Sequence, residues 1–131
     1  MKIYLSSYLE KNNFGPGKLF AIAATKPDNL DIEEAYTFFI PAQGILENYK
    51  KTQLEDQTKA SNYFNLAFKA QLESFVEAVL AVNEKEATPI FELLPFSDGD
   101  TLLSWEREGF TSYRPIVAEC LEKLGYEIIL K

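Results

Sequence analysis

The two arginines of this chain, Arg107 and Arg114, and its single tryptophan, Trp105, fall within the ten residues Trp105-Glu106-Arg107-Glu108-Gly109-Phe110-Thr111-Ser112-Tyr113-Arg114. The chemistry this set offers is recognition of an anion. A guanidinium presents a planar fork of donors that matches phosphate or carboxylate. Thr111, Ser112 and Tyr113 add hydroxyl donors. Gly109 frees the local backbone. Trp105 and Phe110 offer stacking faces for a base or an aromatic ligand. The expected anion pocket is therefore Arg114, Ser112 and Tyr113, with Glu106, Trp105 and Ser104 at its wall.

A plainer reading of the same residues stands beside this one. Glu106, Arg107, Glu108 and Arg114 can pair on the surface, where each pair contributes about 0.5 kcal/mol. Trp105 and Phe110 can be core, and Ser112 a helix cap. Ser104 and Ser112 invite a nucleophile reading, but the chain has no histidine to serve as base. Asp98 and Asp100 straddle Gly99; two carboxylates are too few for a cation loop, so this is read as a turn cap.

The remaining composition narrows the chemistry further. Without histidine there is no Ser-His-Asp or Cys-His catalysis, and most catalytic zinc and non-haem iron sites are excluded. One cysteine, Cys120, excludes an intramolecular disulfide, a multi-thiolate zinc site and a two-cysteine redox pair. Cys120 falls on the apolar face of a helix and is read as an inert core thiol. No metal and no cofactor are expected. The net charge of −7 disfavours nucleic acid and anionic membrane as partners. No apolar run approaches the roughly 20 residues that span a bilayer. The opening Met1-Lys2-Ile3-Tyr4-Leu5-Ser6-Ser7 is too polar for a signal peptide, so the cytoplasm is the expected compartment.

The elements that must position the site follow from periodicity and punctuation. At 131 residues, 47% apolar and 14% aromatic, one domain spanning 1–131 with a proper core is expected. Lys2 to Leu9 favours a strand, and turn residues follow from Asn12 to Gly17. Leu19 to Ala24 is a continuous apolar run suited to a strand buried on both faces. Tyr36 to Ile40 reads as a short strand or a buried loop. Thr52 and Glu55 form a capping-box pattern, unless that helix has already begun near Ile45.

From about Gln57 to Glu84 the spacing predicts a long amphipathic helix. Its apolar face is Phe64, Phe68, Leu72, Phe75, Val79 and Val82. Thr88-Pro89 predicts an N-cap and a short helix to Leu94. Asp100 to Trp105 reads as a strand, Pro115 to Leu124 as a helix stopped by Gly125, and Tyr126 to Leu130 as a last strand. Pro115 disfavours helical geometry at Arg114, which leaves Ser112 and Tyr113 in the preceding loop. The order predicts a single three-layer α/β domain with a largely parallel sheet flanked by helices. The first and later apolar strands, Leu19–Ala24 and Asp100–Trp105, are expected near its centre with helices on both faces. The arginine-bearing stretch then joins a strand's carboxyl end to a helix start, where ligands bind in open α/β sheets.

Two segments, Thr101-Leu102-Leu103-Ser104-Trp105-Glu106 and Ser112-Tyr113-Arg114-Pro115-Ile116-Val117-Ala118-Glu119, give the chain a family resemblance. It resembles the bacterial and archaeal domain-of-unknown-function family 488. There a strand ends in a Leu-Leu-Cys-Tyr-Glu-like motif, and a loop leads to Cys-His-Arg and a helix. Weaker likenesses follow in order at Lys2-Ile3-Tyr4, Lys26-Pro27, Pro41 to Lys50 and Leu124 to Ile128. The resemblance implies a compact three-layer α/β fold. Ser104 and Ser112 stand at the family's cysteines, and Tyr113 at its histidine, so thiol or metal chemistry does not carry over. Glu106 and Arg114 are retained.

Three functions fit these observations. The first is a non-catalytic or degenerate binding module for a small anionic or nucleotide-like ligand. The second is an enzyme acting on a phosphate or glycosidic bond of a nucleotide-like substrate, with Glu106 as acid or base and Arg114 as anion clamp. The third is a structural interaction protein, a homodimer through exposed aromatics.

Overall fold

The structure is a computed structural model of the chain, and it describes residues 1–9, 13–23, 25, 27–105 and 113–130. Five strands form one sheet: β1 (Lys2–Ser7), β2 (Leu19–Ala21), β3 (Glu34–Ala35), β4 (Thr101–Ser104) and β5 (Glu127–Leu130). Their order is β3-β2-β4-β1-β5, and every neighbouring pair is parallel. The helices are α1 (Gln43–Gln53), α2 (Gln57–Glu86), α3 (Ile90–Leu93) and α4 (Arg114–Lys123), with a 3-10 turn at Thr37–Phe39. As expected, the Leu19 and Asp100 segments are adjacent; β4 is central, and all four of its residues are buried.

Each strand leaves the sheet in one of two directions. The connections from β1 to β2 and from β2 to β3 run towards the β3 edge; those from β3 to β4 and from β4 to β5 run back. Parallel crossovers keep a single hand, so opposite directions of travel must use opposite faces. The packing obeys this. Side chains of all four helices join Ile3, Leu5, Phe20 and Leu102 in one core. On the other face, Tyr8, Ala21, Ile32 and Leu103 pack with Phe14, Leu30 and Trp105. The expectation of helices on both faces is therefore met on one face only. The other face is covered by two connections in which the described residues form no α-helix.

The long helix α2 buries Ala60, Phe64, Phe68, Leu72, Val76 and Val79. Phe75 is only partly buried, with Val76 buried beside it, and Val82 is 37% exposed, so the buried stripe ends at Val79, a turn earlier than the sequence pattern. Among the described residues no helix is long and apolar enough to cross a membrane. The Thr52–Glu55 pattern does not open a helix: Thr52 closes α1, its carbonyl accepting from the Asp56 amide at 2.8 Å. Asp56 is the true cap of α2 and accepts from the Lys59 amide at 3.1 Å. Pro89, not Thr88, is the N-cap of α3. Around 36–40 the chain makes the 3-10 turn, with the strand two residues earlier. There the Gln71 side chain of α2 donates to the Ile40 carbonyl and accepts from the Ala42 amide, both at 2.9 Å.

The amino ends of the strands are fastened by Asp100, which is 1% exposed. Its carboxylate accepts from the Ser97 amide at 2.8 Å, closing the turn, and from the Lys18 amide at 2.9 Å, tying that turn to the start of β2. A Cβ on Gly17 would stand 2.4 Å from Asp100 Oδ1, and one on Gly15 would stand 2.3 Å from the Gly99 carbonyl oxygen, so both positions require glycine. The turn-cap reading of this acidic pair holds. Asp100→Ala leaves the Ser97 and Lys18 amides without their charged acceptor. We expect it to lower stability by about 3 kcal/mol, read as a drop in the urea midpoint at unchanged slope.

Candidate functional site

The carboxyl rim of the sheet is built from the ends of its three inner strands. The register sets Ser7 of β1 opposite Ser104 of β4, and Ser6 opposite Leu103. Alternation along the strands puts Ser7 and Ser104 on the helix-covered face, and Ser6 and Tyr8 on the loop-covered face. Just beyond the strand ends, the Tyr8 amide donates to the Ser104 carbonyl at 3.0 Å, and the Ile22 amide donates to the Leu103 carbonyl at 2.9 Å.

Two aromatic side chains then grip the segment after β2 from opposite faces. The Trp105 indole N–H donates to Thr25 Oγ1 at 2.9 Å and to the Thr25 carbonyl at 3.1 Å. The Tyr113 hydroxyl donates to the Ile22 carbonyl at 2.5 Å. The Tyr113 ring packs in the core, with Phe68 edge-on at 5.2 Å between centroids. The edge of Tyr8 meets Trp105 at 4.7 Å and 62°. Tyr113 is also the N-cap residue of α4, and it makes no side-chain capping bond.

Arg114 is the first residue of α4 and is only 7% exposed, an uncommon placement for arginine. Pro115 beside it has no N–H, and the Ile116 and Val117 amides both donate to the Tyr113 carbonyl. The helix start thus offers no row of free amides.

Of the residues expected from sequence, Ser104, Trp105, Tyr113 and Arg114 lie on this rim. Glu106 and Ser112 lie outside the described residues, as do Arg107, Gly109, Phe110 and Thr111. The sequence reading missed Ser6, Tyr8, Ile22 and Thr25. The signal for the first two was available: period-2 alternation continued past Lys2–Ser7 sets Ser6 and Tyr8 on one face. The bonds to Ile22 and Thr25 depend on tertiary contacts 80 or more residues apart in sequence.

Burial sets the electrostatics. It pushes the Tyr8 phenol up to about 12. It raises Tyr113 further still, and the neighbouring Tyr8 adds to that rise. Both are neutral hydroxyls at physiological pH. Cys120, buried in the helix-covered core, is also pushed up to about 12 by burial, with Lys123 opposing and Glu119 adding. Among the described residues no group of three or more His, Cys, Asp or Glu side chains is placed to hold a metal.

A shallow depression lies away from the rim, between α2 and α4, floored by Leu72, Val76, Ile116 and Cys120. There Lys69 and Lys123 both pair with the Glu119 carboxylate, at 3.7 and 3.5 Å. Comparison of the chain with family models, with curated proteins and with solved structures finds no match.

Two outcomes follow from this geometry. Tyr113→Phe leaves the Ile22 carbonyl without its donor and is expected to cost about 1–2 kcal/mol in urea unfolding. Cys120 holds far less thiolate at pH 8 than an unfolded cysteine, whose pKa is about 8.5. Its alkylation by iodoacetamide is expected to be more than about a hundredfold slower in the native protein than in guanidinium, followed by mass spectrometry.

Proposed function

We propose that this chain is a binding domain, with no reaction of its own, for a small anionic or nucleotide-like ligand at the carboxyl rim of the sheet. The observation that carries the reading is Arg114: a nearly buried guanidinium at the start of α4, beside the ends of the central parallel strands. A guanidinium presents a planar, bidentate fork of donors that matches an oxyanion. Ligands in open parallel sheets sit at this edge. Trp105 and Ser104 stand on the same rim, Tyr113 positions the start of α4, and Ser112 and Glu106 belong to the proposed pocket by sequence. We extend the proposal to kinship with domain-of-unknown-function family 488, since its resemblance falls on these two segments. On composition, the compartment is the cytoplasm, and the partner is a small molecule rather than nucleic acid or membrane.

The test is a titration of phosphate, sulfate and nucleoside monophosphates followed by Trp105 fluorescence, repeated with Arg114→Ala. The reading predicts a saturable change in the wild type and a loss of affinity of at least about tenfold in the variant, a difference of about 1.4 kcal/mol. Equal behaviour of the two proteins contradicts it.

A further inference from the structure

We infer that Tyr8 is a ligand-contacting residue of this same rim, its hydroxyl donating to an oxygen of the anion, with Ser6 as a second hydroxyl behind it. The inference rests on the anion-binding reading above and adds two residues to it.

The first ground is an unexplained pair of hydroxyls. Ser6 is 0% and Tyr8 3% exposed, and neither hydroxyl has a hydrogen-bond partner among the described residues. A buried polar group left unpaired is costly, so each such group in a folded protein requires an explanation. Phenylalanine and alanine would fill the same space without that cost. The two are neighbours on the same face of β1, where chance orphans would be scattered.

The second ground is position. Tyr8 stands one residue beyond the carboxyl end of β1, its amide held by the Ser104 carbonyl and its ring by Trp105. Its hydroxyl is near enough to Tyr113, the residue that caps α4, to disfavour that phenol's ionisation. A third buried, unpartnered hydroxyl, Tyr126, sits at the amino end of β5 instead and does not belong to this site.

The third ground is chemistry. The hydroxyl that sequence assigns to the ligand, on Tyr113, is already donated to the Ile22 carbonyl. Tyr8 supplies the donor that Tyr113 does not. Its phenol stays protonated at physiological pH, so it can donate to an oxyanion without first losing a charge.

The experiment is calorimetric titration of the wild type, Tyr8→Phe and Ser6→Ala with inorganic phosphate and with AMP, together with urea unfolding of each. Tyr8→Phe is expected to weaken phosphate binding at least tenfold while its urea midpoint stays equal or rises; Ser6→Ala is expected to weaken it several-fold. Tyrosine labelled with carbon-13 at Cζ gives seven signals in the wild type. Phosphate should shift the one that is missing from Tyr8→Phe. Unchanged phosphate affinity in both variants overturns the inference and leaves the anion-binding reading standing. A wild type that binds neither phosphate nor AMP ends both.

Discussion

Parallel strands cannot be joined by tight turns, and their crossovers keep one hand. This constraint organises the whole molecule. A chain that visits strand positions in the order β3-β2-β4-β1-β5 travels first one way across the sheet and then back. Its first two crossovers must lie on one face and its last two on the other. All four helices belong to the return journey, so they share a face and build the larger core around Phe64, Phe68 and Leu121. Among its described residues the outward journey has no α-helix to offer. It covers its face with Phe14, Leu30 and Ile32 from irregular chain, over small residues such as Ala21.

The two ends of this sheet are put to different uses. At the amino end every polar group of Asp100 is matched to backbone, and glycine is required where the loop approaches; this end reads as stability. At the carboxyl end Tyr113 and Trp105 hold the segment after β2 in place. There two buried hydroxyls have no partner among the described residues, that of Ser6 near the end of β1 and that of Tyr8 just beyond it. The proposed site is placed here, where loops and strand ends are held by a rigid scaffold.

Much of this was legible in the residues. The unbroken apolar run at Leu19 announces a strand buried on both faces, and the spacing of Phe64, Phe68 and Leu72 announces a helix with one core face. Gly125 marks the end of α4 because its φ of 99° suits glycine alone. Local patterns misled where a tertiary contact decided the outcome. The capping-box spelling at Thr52 loses to Asp56, which stands where the α1–α2 turn ends. Val82 has the right spacing for the core but lies where α2 no longer has a partner to bury it. The one-sided placement of the helices follows from strand order, which no local pattern encodes. Alternation sets Tyr8 on its face, but that the Tyr113 hydroxyl reaches the Ile22 carbonyl while the Tyr8 hydroxyl finds no partner among the described residues is decided by tertiary contacts alone.

The central claim is that the carboxyl rim, where β1 and β4 end and α4 begins, is the binding face. The most direct measurement is backbone amide hydrogen exchange by mass spectrometry, in phosphate and in chloride at equal ionic strength. The account predicts that phosphate slows exchange in peptides covering residues 6–9 and 113–118, while the Asp100 turn and the α2–α4 depression keep their rates. Protection by phosphate confined to the α2–α4 depression, or no protection anywhere, would contradict it.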